Sequence, residues 1–127
     1  FNLKISKLGG IFSALQIYRL AEEGGVPCQL GAHFGETSIL TTAGIVLTKL
    51  AGPMSANEGA LGEMLLEQDI TQPSVQQNSK GELVPSQSLQ QIGFSQGIDR
   101  ELLESYTVKQ RSFQSYRFEG MMKRLSL

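Results

Sequence analysis

The N-terminal half of the chain alternates between short strand-like and longer helix-like patterns of hydrophobic residues. Residues 1–6 alternate apolar and polar side chains, which is the period of a strand with one buried face. Residues 11–23 repeat apolar side chains at helical spacing and are followed by two glycines, which predicts a helix over that range. The positions expected on its buried side are Ile11, Ala14, Leu15, Tyr18 and Ala21.

A second strand and helix follow the same pattern. Residues 26–32 form a short, mostly apolar run, and residues 37–50 have helical spacing up to Gly52 and Pro53. Strands that alternate with helices of about a dozen residues indicate βαβ units and a parallel sheet, so this half is predicted to be α/β. The inner side of the second helix is predicted to carry Ile39, Leu40, Ala43, Val46, Leu47 and Leu50.

The pattern weakens in the C-terminal half. Residues 71–91 are rich in Gln, Ser and Pro, which predicts an irregular crossing loop with a turn at Lys80-Gly81. Asp99 is the predicted N-cap of a short helix. The tail over residues 107–127 mixes aromatic and basic side chains and is left unassigned, apart from an indicated helical end at residues 121–125.

Composition narrows the classes of protein that fit this pattern. The chain has 127 residues, 40% of them hydrophobic, which is enough for one domain with a core. Eleven Lys and Arg against twelve Asp and Glu leave a net charge of −1, which gives no basis for binding nucleic acid. Cys28 is the single cysteine, and no apolar run has the length of a membrane span. A cytoplasmic protein that binds neither nucleic acid nor membrane is predicted.

Three motifs stand in sequence order along the chain. Residues 2–10 read Asn-Leu-Lys-Ile-Ser-Lys-Leu-Gly-Gly, and residues 30–38 read Leu-Gly-Ala-His-Phe-Gly-Glu-Thr-Ser. These two stretches resemble the sixth and seventh strand regions of barrels in the enolase superfamily, in the branch of muconate-lactonizing enzyme and mandelate racemase. Residues 81–85, Gly-Glu-Leu-Val-Pro, lead to the helix after Asp99 as in the family's C-terminal segment. Departures at residues 27–36 and 90–93 leave the individual activity open.

The resemblance implies that residues 1–106 are a C-terminal portion, about strands 6 to 8, of a TIM-type barrel. A complete barrel has eight strands and about 250 residues, so this portion is expected to be incomplete on its own. The first residue, Phe1, already lies in a strand-like segment, which reads as a piece of a longer protein. Because an open parallel edge invites pairing, the expected partner is the missing N-terminal part of the barrel or a second copy.

The resemblance also implies a chemistry. Members of this family abstract the proton α to a carboxylate and stabilise the enediolate with Mg²⁺. Lys4 stands where the family carries its sixth-strand lysine, and it is the predicted catalytic base. The predicted substrate-binding residues are His33, Glu36, Asn57 and Glu58, at the ends of the seventh and eighth strands.

The residues alone leave other readings open. Lys4 is then an ordinary exposed lysine, and Glu36 is a carboxylate that favours the dipole of the following helix. The Mg²⁺ ligands of the family would lie upstream of Phe1, so no cofactor is expected in this chain and the fragment alone is predicted to be inactive. The intact enzyme would isomerise, epimerise, cycloisomerise or dehydrate a small carboxylate. The alternative function is a non-catalytic structural or self-association domain that keeps the half-barrel scaffold.

Overall fold

Strands and helices alternate in the N-terminal half of the chain in a computed structural model that describes residues 1–59, 62–84 and 97–110. Four helices and six two-residue strands are present in these ranges. In order they are β1 (Asn2–Leu3), α1 (Ile11–Glu23), β2 (Gln29–Leu30), α2 (Ser38–Ala51), α3 (Gly62–Leu65), β3 (Thr71–Gln72), β4 (Gln76–Gln77), β5 (Leu83–Val84), β6 (Gly97–Ile98) and α4 (Arg100–Ser105).

A parallel arrangement organises the N-terminal half. β1 pairs with β2 in parallel, with Leu3 opposite Leu30. On its other side Leu30 forms a parallel bridge with Asn57. The three segments therefore lie in the order β1, β2, Asn57, and α1 and α2 are the connections between them. This is the βαβ arrangement that the alternation of strands and helices predicts.

The first strand is shorter than the sequence pattern predicts. The alternation covers residues 1–6, but β1 ends at Leu3 because the following residues fold into a turn. The carbonyl of Ile5 accepts hydrogen bonds from the amides of Leu8 (3.2 Å) and Gly10 (3.1 Å). Leu3 and Ile5 are buried, whereas the side chain of Phe1 is 65% exposed. The strand-like alternation past Leu3 thus belongs to a turn with an apolar inner side.

Helix α1 has the bounds and the buried face that its periodicity predicts. Its core-facing residues are Ala14, Leu15, Tyr18 and Ala21, while Ile11 is half-buried. The helix packs against α2 and against the residues of β1 and β2. Most of the buried side chains form two neighbouring clusters, one of Ile5, Ala14, Leu15, Leu30, Ala43 and Leu47 and one of Leu3, Tyr18, Ala21 and Cys28.

The predicted inner face of α2 is wrong in part. Ile39 and Leu50 are 37% and 55% exposed, and the buried positions are Ser38, Thr41, Thr42, Ala43, Gly44 and Leu47. The reason is the close approach of the helix to β2: a Cβ built at Gly44 would lie 2.8 Å from a methyl carbon of Leu30. Small residues allow this contact, so the helix turns them inward and leaves larger apolar side chains at its flanks.

The region after α3 contains more regular structure than predicted. β4 and β5 pair antiparallel as a hairpin. Its turn is closed by Asn78, whose Oδ1 accepts from the amides of Lys80 and Glu82, both at 2.9 Å, and Gly81 has a φ of 77°. The turn at Lys80-Gly81 is therefore confirmed. The irregular loop is wrong for residues 71–84, because the side chain of Asn78 fixes the turn that pairs the two strands.

The last described helix begins as predicted. Oδ1 of Asp99 accepts a hydrogen bond of 3.0 Å from the amide of Leu102, which makes it the N-cap of α4. β6, immediately before it, pairs antiparallel with β3. The predictions for residues 85–93 and the helical end at residues 121–125 lie outside the described residues. Across the described ranges, no helix is long and apolar enough to span a membrane.

Candidate active site at the carboxyl ends of the parallel strands

The parallel strands bring four of the five predicted site residues to one end of the sheet. Lys4 directly follows β1, His33 lies three residues after β2, and Glu58 follows the bridge at Asn57. Because the three segments are parallel, their carboxyl ends meet at the same edge, which is where active sites of α/β folds collect. Glu36 joins them from the loop before α2.

Lys4 is held across β2. The side chain is half-buried, and its Nζ donates a hydrogen bond to the carbonyl of Ala32. Gly31 leaves room for the Lys4 side chain to cross β2, because a Cβ there would lie 1.8 Å from Oδ1 of Asn2 and 3.0 Å from Cγ of Lys4. Lys7, three residues further along the chain, is exposed. Lys4 is therefore an ordered amine, unlike an ordinary exposed lysine.

Two carboxylates fix the backbone that Lys4 contacts. Oε2 of Glu58 accepts from the amide of Ala32 at 3.0 Å, and Oε2 of Glu36 accepts from the amide of His33 at 2.9 Å. The amide of Glu36 in turn donates to the carbonyl of His33 at 3.3 Å. Gly35 has a φ of 72°, a left-handed conformation that suits glycine and allows this tight turn. The backbone amides of Ala32 and His33, which follow β2, are thus each held by a glutamate carboxylate.

His33 has an unusual environment. Its Nε2 is buried and has no hydrogen-bond partner within the described part of the chain. The side chain lines a small cavity of about 10 Å³, together with Glu36, Thr41 and Glu58. A cavity of this size holds about one water molecule. Asn57 is exposed and lines a different cavity of about 300 Å³, so the structure does not bring it to the other four residues.

The metal implied by the resemblance does not fit these residues. In the described ranges, no group of three His, Cys, Asp or Glu side chains is placed to hold a metal ion. The carboxylates of Glu36 and Glu58 are each engaged by a backbone amide. The strand ends described here thus present an amine, an imidazole and two carboxylates without a metal-binding set.

A polar cluster that no sequence pattern predicts anchors the start of α2. Oδ2 of Asp69 accepts from the amide (2.8 Å) and hydroxyl (2.6 Å) of Ser38, and its Oδ1 accepts from the amide (3.0 Å) and hydroxyl (2.9 Å) of Thr71. The hydroxyl of Ser38 also accepts from the amide of Val75 at 2.8 Å. A serine at a helix start is a local signal, but its partner lies 31 residues away. This cluster fixes the helix that follows the loop of Glu36.

Comparison with protein-family models, with curated proteins and with solved structures finds no match to this chain. The fold and the placement of the strand-end residues therefore rest on the structure itself. The resemblance to the enolase superfamily stays a prediction from the sequence motifs.

Proposed function

We propose that this chain is the C-terminal portion of a TIM-type barrel and supplies the base of an enolase-superfamily active site. Lys4 would abstract the proton α to the carboxylate of a small substrate. The observation that carries the proposal is the position of Lys4: it follows the first of three parallel segments, half-buried and with its amine held by Ala32. Ordered amines at such strand ends suit proton abstraction, because general-base catalysis requires a fixed geometry.

The hydrogen bond to Ala32 is compatible with a basic role for Lys4. A neutral amine has two N–H groups and one lone pair, so one N–H can stay on the carbonyl of Ala32 while the lone pair takes the substrate proton. A positioned base of this kind contributes a factor of about 10² to 10⁴ to the rate. His33, Glu36 and Glu58 are the proposed substrate contacts, with the buried Nε2 of the half-buried His33 as a polar atom without a partner in the described ranges, on a side chain that lines the small cavity.

The metal and the reaction product are not set by these residues. By the resemblance, the Mg²⁺ ligands are proposed to lie on other strands of the barrel, and the chain alone is proposed to be inactive. Isomerisation, epimerisation, cycloisomerisation and dehydration share the first proton transfer, which is the only step assigned to this chain. The free, buried thiol of Cys28 fits a reducing compartment, so a cytoplasmic location is part of the proposal.

A second candidate function is a structural or self-association domain, and the surface favours an interaction. Among the described strands, β1 pairs only with β2, and none of them covers its other edge. Phe1, Phe12 and Leu20 are 65%, 85% and 68% exposed. A native mass spectrum distinguishes the partners: simple multiples of 13.9 kDa mean self-association, and an added unlike chain means the rest of a barrel.

The catalytic proposal is tested by hydrogen exchange at the α-carbon. The protein, with any chain that co-purifies, is incubated in D₂O with Mg²⁺ and a panel of small carboxylates, and deuterium uptake is followed by NMR. We expect exchange that is lost in Lys4→Ala and kept in Lys7→Ala, because Lys7 is exposed and lies outside the site. Exchange that is unchanged in Lys4→Ala would remove Lys4 from the mechanism. Absence of exchange in the assembled wild-type protein would favour the structural role.

A further inference from the structure

One peptide group lies between Lys4 and Glu36. Its carbonyl, on Ala32, accepts from Nζ of Lys4, and its N–H, on His33, donates to Oε2 of Glu36 at 2.9 Å. The amine and the carboxylate are therefore linked through the two ends of the same amide. Glu58 differs, because it accepts from the amide of Ala32, which belongs to the preceding peptide group.

The chemistry of the amide makes this link directional. A carboxylate on the N–H polarises the amide and places more negative charge on its carbonyl oxygen, which strengthens the bond that this oxygen accepts. The carboxylate also fixes the plane of the peptide, and hence the direction in which the Ala32 carbonyl points at Lys4. A removed carboxylate would leave the amide of His33 without this partner and the carbonyl free to turn.

The surrounding backbone holds Glu36 in place for this role. The amide of Glu36 is bound to the carbonyl of His33, and the left-handed Gly35 closes the turn between them. Helix α3 supports the turn from behind, because a Cβ built on Gly62 would lie 2.3 Å from the carbonyl oxygen of Glu36. A backbone held this way pre-organises the position of Glu36 before any substrate arrives.

We propose that Glu36 is a positioning residue that orders the amine of Lys4 through the peptide group between Ala32 and His33. The geometric claim stands on the hydrogen bonds alone, and only its meaning for catalysis rests on the proposed function. Glu36 then acts on the base through its Oε2, which binds the amide of His33, in addition to any contact its second oxygen makes.

Amine reactivity measures this effect without any catalytic assay. The protein is acetylated with limiting reagent, and modification of Lys4 is compared with that of Lys7, an exposed lysine three residues away, by peptide mass spectrometry. We expect Lys4 to react about fivefold more slowly than Lys7, the factor given by one hydrogen bond of ordinary net strength. Glu36→Ala should bring Lys4 to within about twofold of Lys7, since the carbonyl that holds it loses its orientation.

Matched variants separate positioning from a general loosening of the fold. Glu36→Gln should keep most of the protection of Lys4, because its side-chain oxygen accepts the same bond from His33. Glu104→Ala, an exposed carboxylate on α4, should leave the ratio of the two lysines unchanged. If Glu36→Ala fails to fold by circular dichroism, Glu36→Asp replaces it, since its carboxylate is one methylene shorter and cannot keep the 2.9 Å bond without movement.

The outcomes are decisive for the inference and independent of the proposed reaction. Equal protection of Lys4 in the wild type and in the folded Ala or Asp variant would overturn it, and so would a Gln variant that behaves like Ala. Loss of protection in Ala or Asp with retention in Gln supports it, even if no substrate shows exchange at its α-carbon.

Discussion

The anchor at the start of α2 gives the sharpest test of how this fold is held together. Each oxygen of the Asp69 carboxylate accepts two hydrogen bonds, one from a backbone amide and one from a hydroxyl. Ser38 provides both donors for one oxygen, and Thr71 provides both for the other. Ser38 and Thr71 are 3% and 1% exposed, so water cannot readily replace these bonds. Asp69→Asn keeps the shape of the side chain and changes only its hydrogen bonding and charge.

The cost follows from the inventory of donors. An asparagine has one accepting oxygen, so in either orientation its NH₂ group faces a backbone N–H of Ser38 or Thr71. One buried amide then loses a charge-assisted bond, which costs about 1.5 to 3 kcal/mol. Loss of the negative charge next to the first turn of α2 costs about 0.3 to 1 kcal/mol more. We expect Asp69→Asn to lower the free energy of unfolding by about 2 to 4 kcal/mol.

Urea denaturation followed by circular dichroism measures this loss, with the slope compared to confirm an unchanged transition. Thr71→Val is the graded control: it removes one hydroxyl donor but keeps both amides on Asp69, so it should cost about 1 kcal/mol. Glu104→Gln, on an exposed position of α4, should change stability by less than about 0.5 kcal/mol. A loss below about 0.5 kcal/mol for Asp69→Asn would refute the argument, because the four bonds could not then be holding the helix.

Two further predictions concern the core and the response to pH. Leu47 is fully buried and Leu50 is 55% exposed, so Leu47→Ala should cost about 2 to 5 kcal/mol and Leu50→Ala less than about 1 kcal/mol in the same denaturation assay. Equal losses would contradict the face assigned to α2. Burial, and then the carboxylate of Glu22, raises the pKa of Tyr18 above its usual value of 10.0, and its hydroxyl donates to the carbonyl of Pro53 at 3.0 Å. Because the unfolded state loses this proton first, stability should be full below about pH 10 and fall as the pH rises above it. The Tyr18→Phe variant should lack that fall, and an identical pH profile would contradict the assignment.

Local patterns predicted the elements whose formation is decided locally. Helix α1 has the predicted bounds because apolar spacing and the glycines that follow it act within one segment. Asp99 is predictable as a cap because its donor partner, the amide of Leu102, is three residues away. The face of α2 was mispredicted because it depends on Gly44 meeting Leu30 of β2, a contact between elements that apolarity of the helix cannot reveal.

The candidate site shows the same division. The presence of Lys4 and Glu36 near strand ends follows from the motifs, since a polar residue after a parallel strand lies at the carboxyl edge of the sheet. The link between them through one peptide group could not be predicted from the sequence. It depends on the tight turn at Gly35 and on the Lys4 side chain crossing over Gly31. Asp69 was missed for a similar reason, as its partner Ser38 is distant in the chain.

The register of β1 against β2 decides whether the candidate site exists at all. With Leu3 opposite Leu30, Lys4 comes one residue after its strand and Ala32 two residues after the other, and the amine reaches the Ala32 carbonyl. A shift by one residue would turn Leu3 out of the core and carry Lys4 to the other face of the sheet, away from Ala32. Burial of Leu3 at 1% exposure therefore does more than stabilise the sheet. The contacts that bury this leucine also set the position of the lysine next to it. A change that weakens the strand pair is therefore expected to displace the proposed base as well.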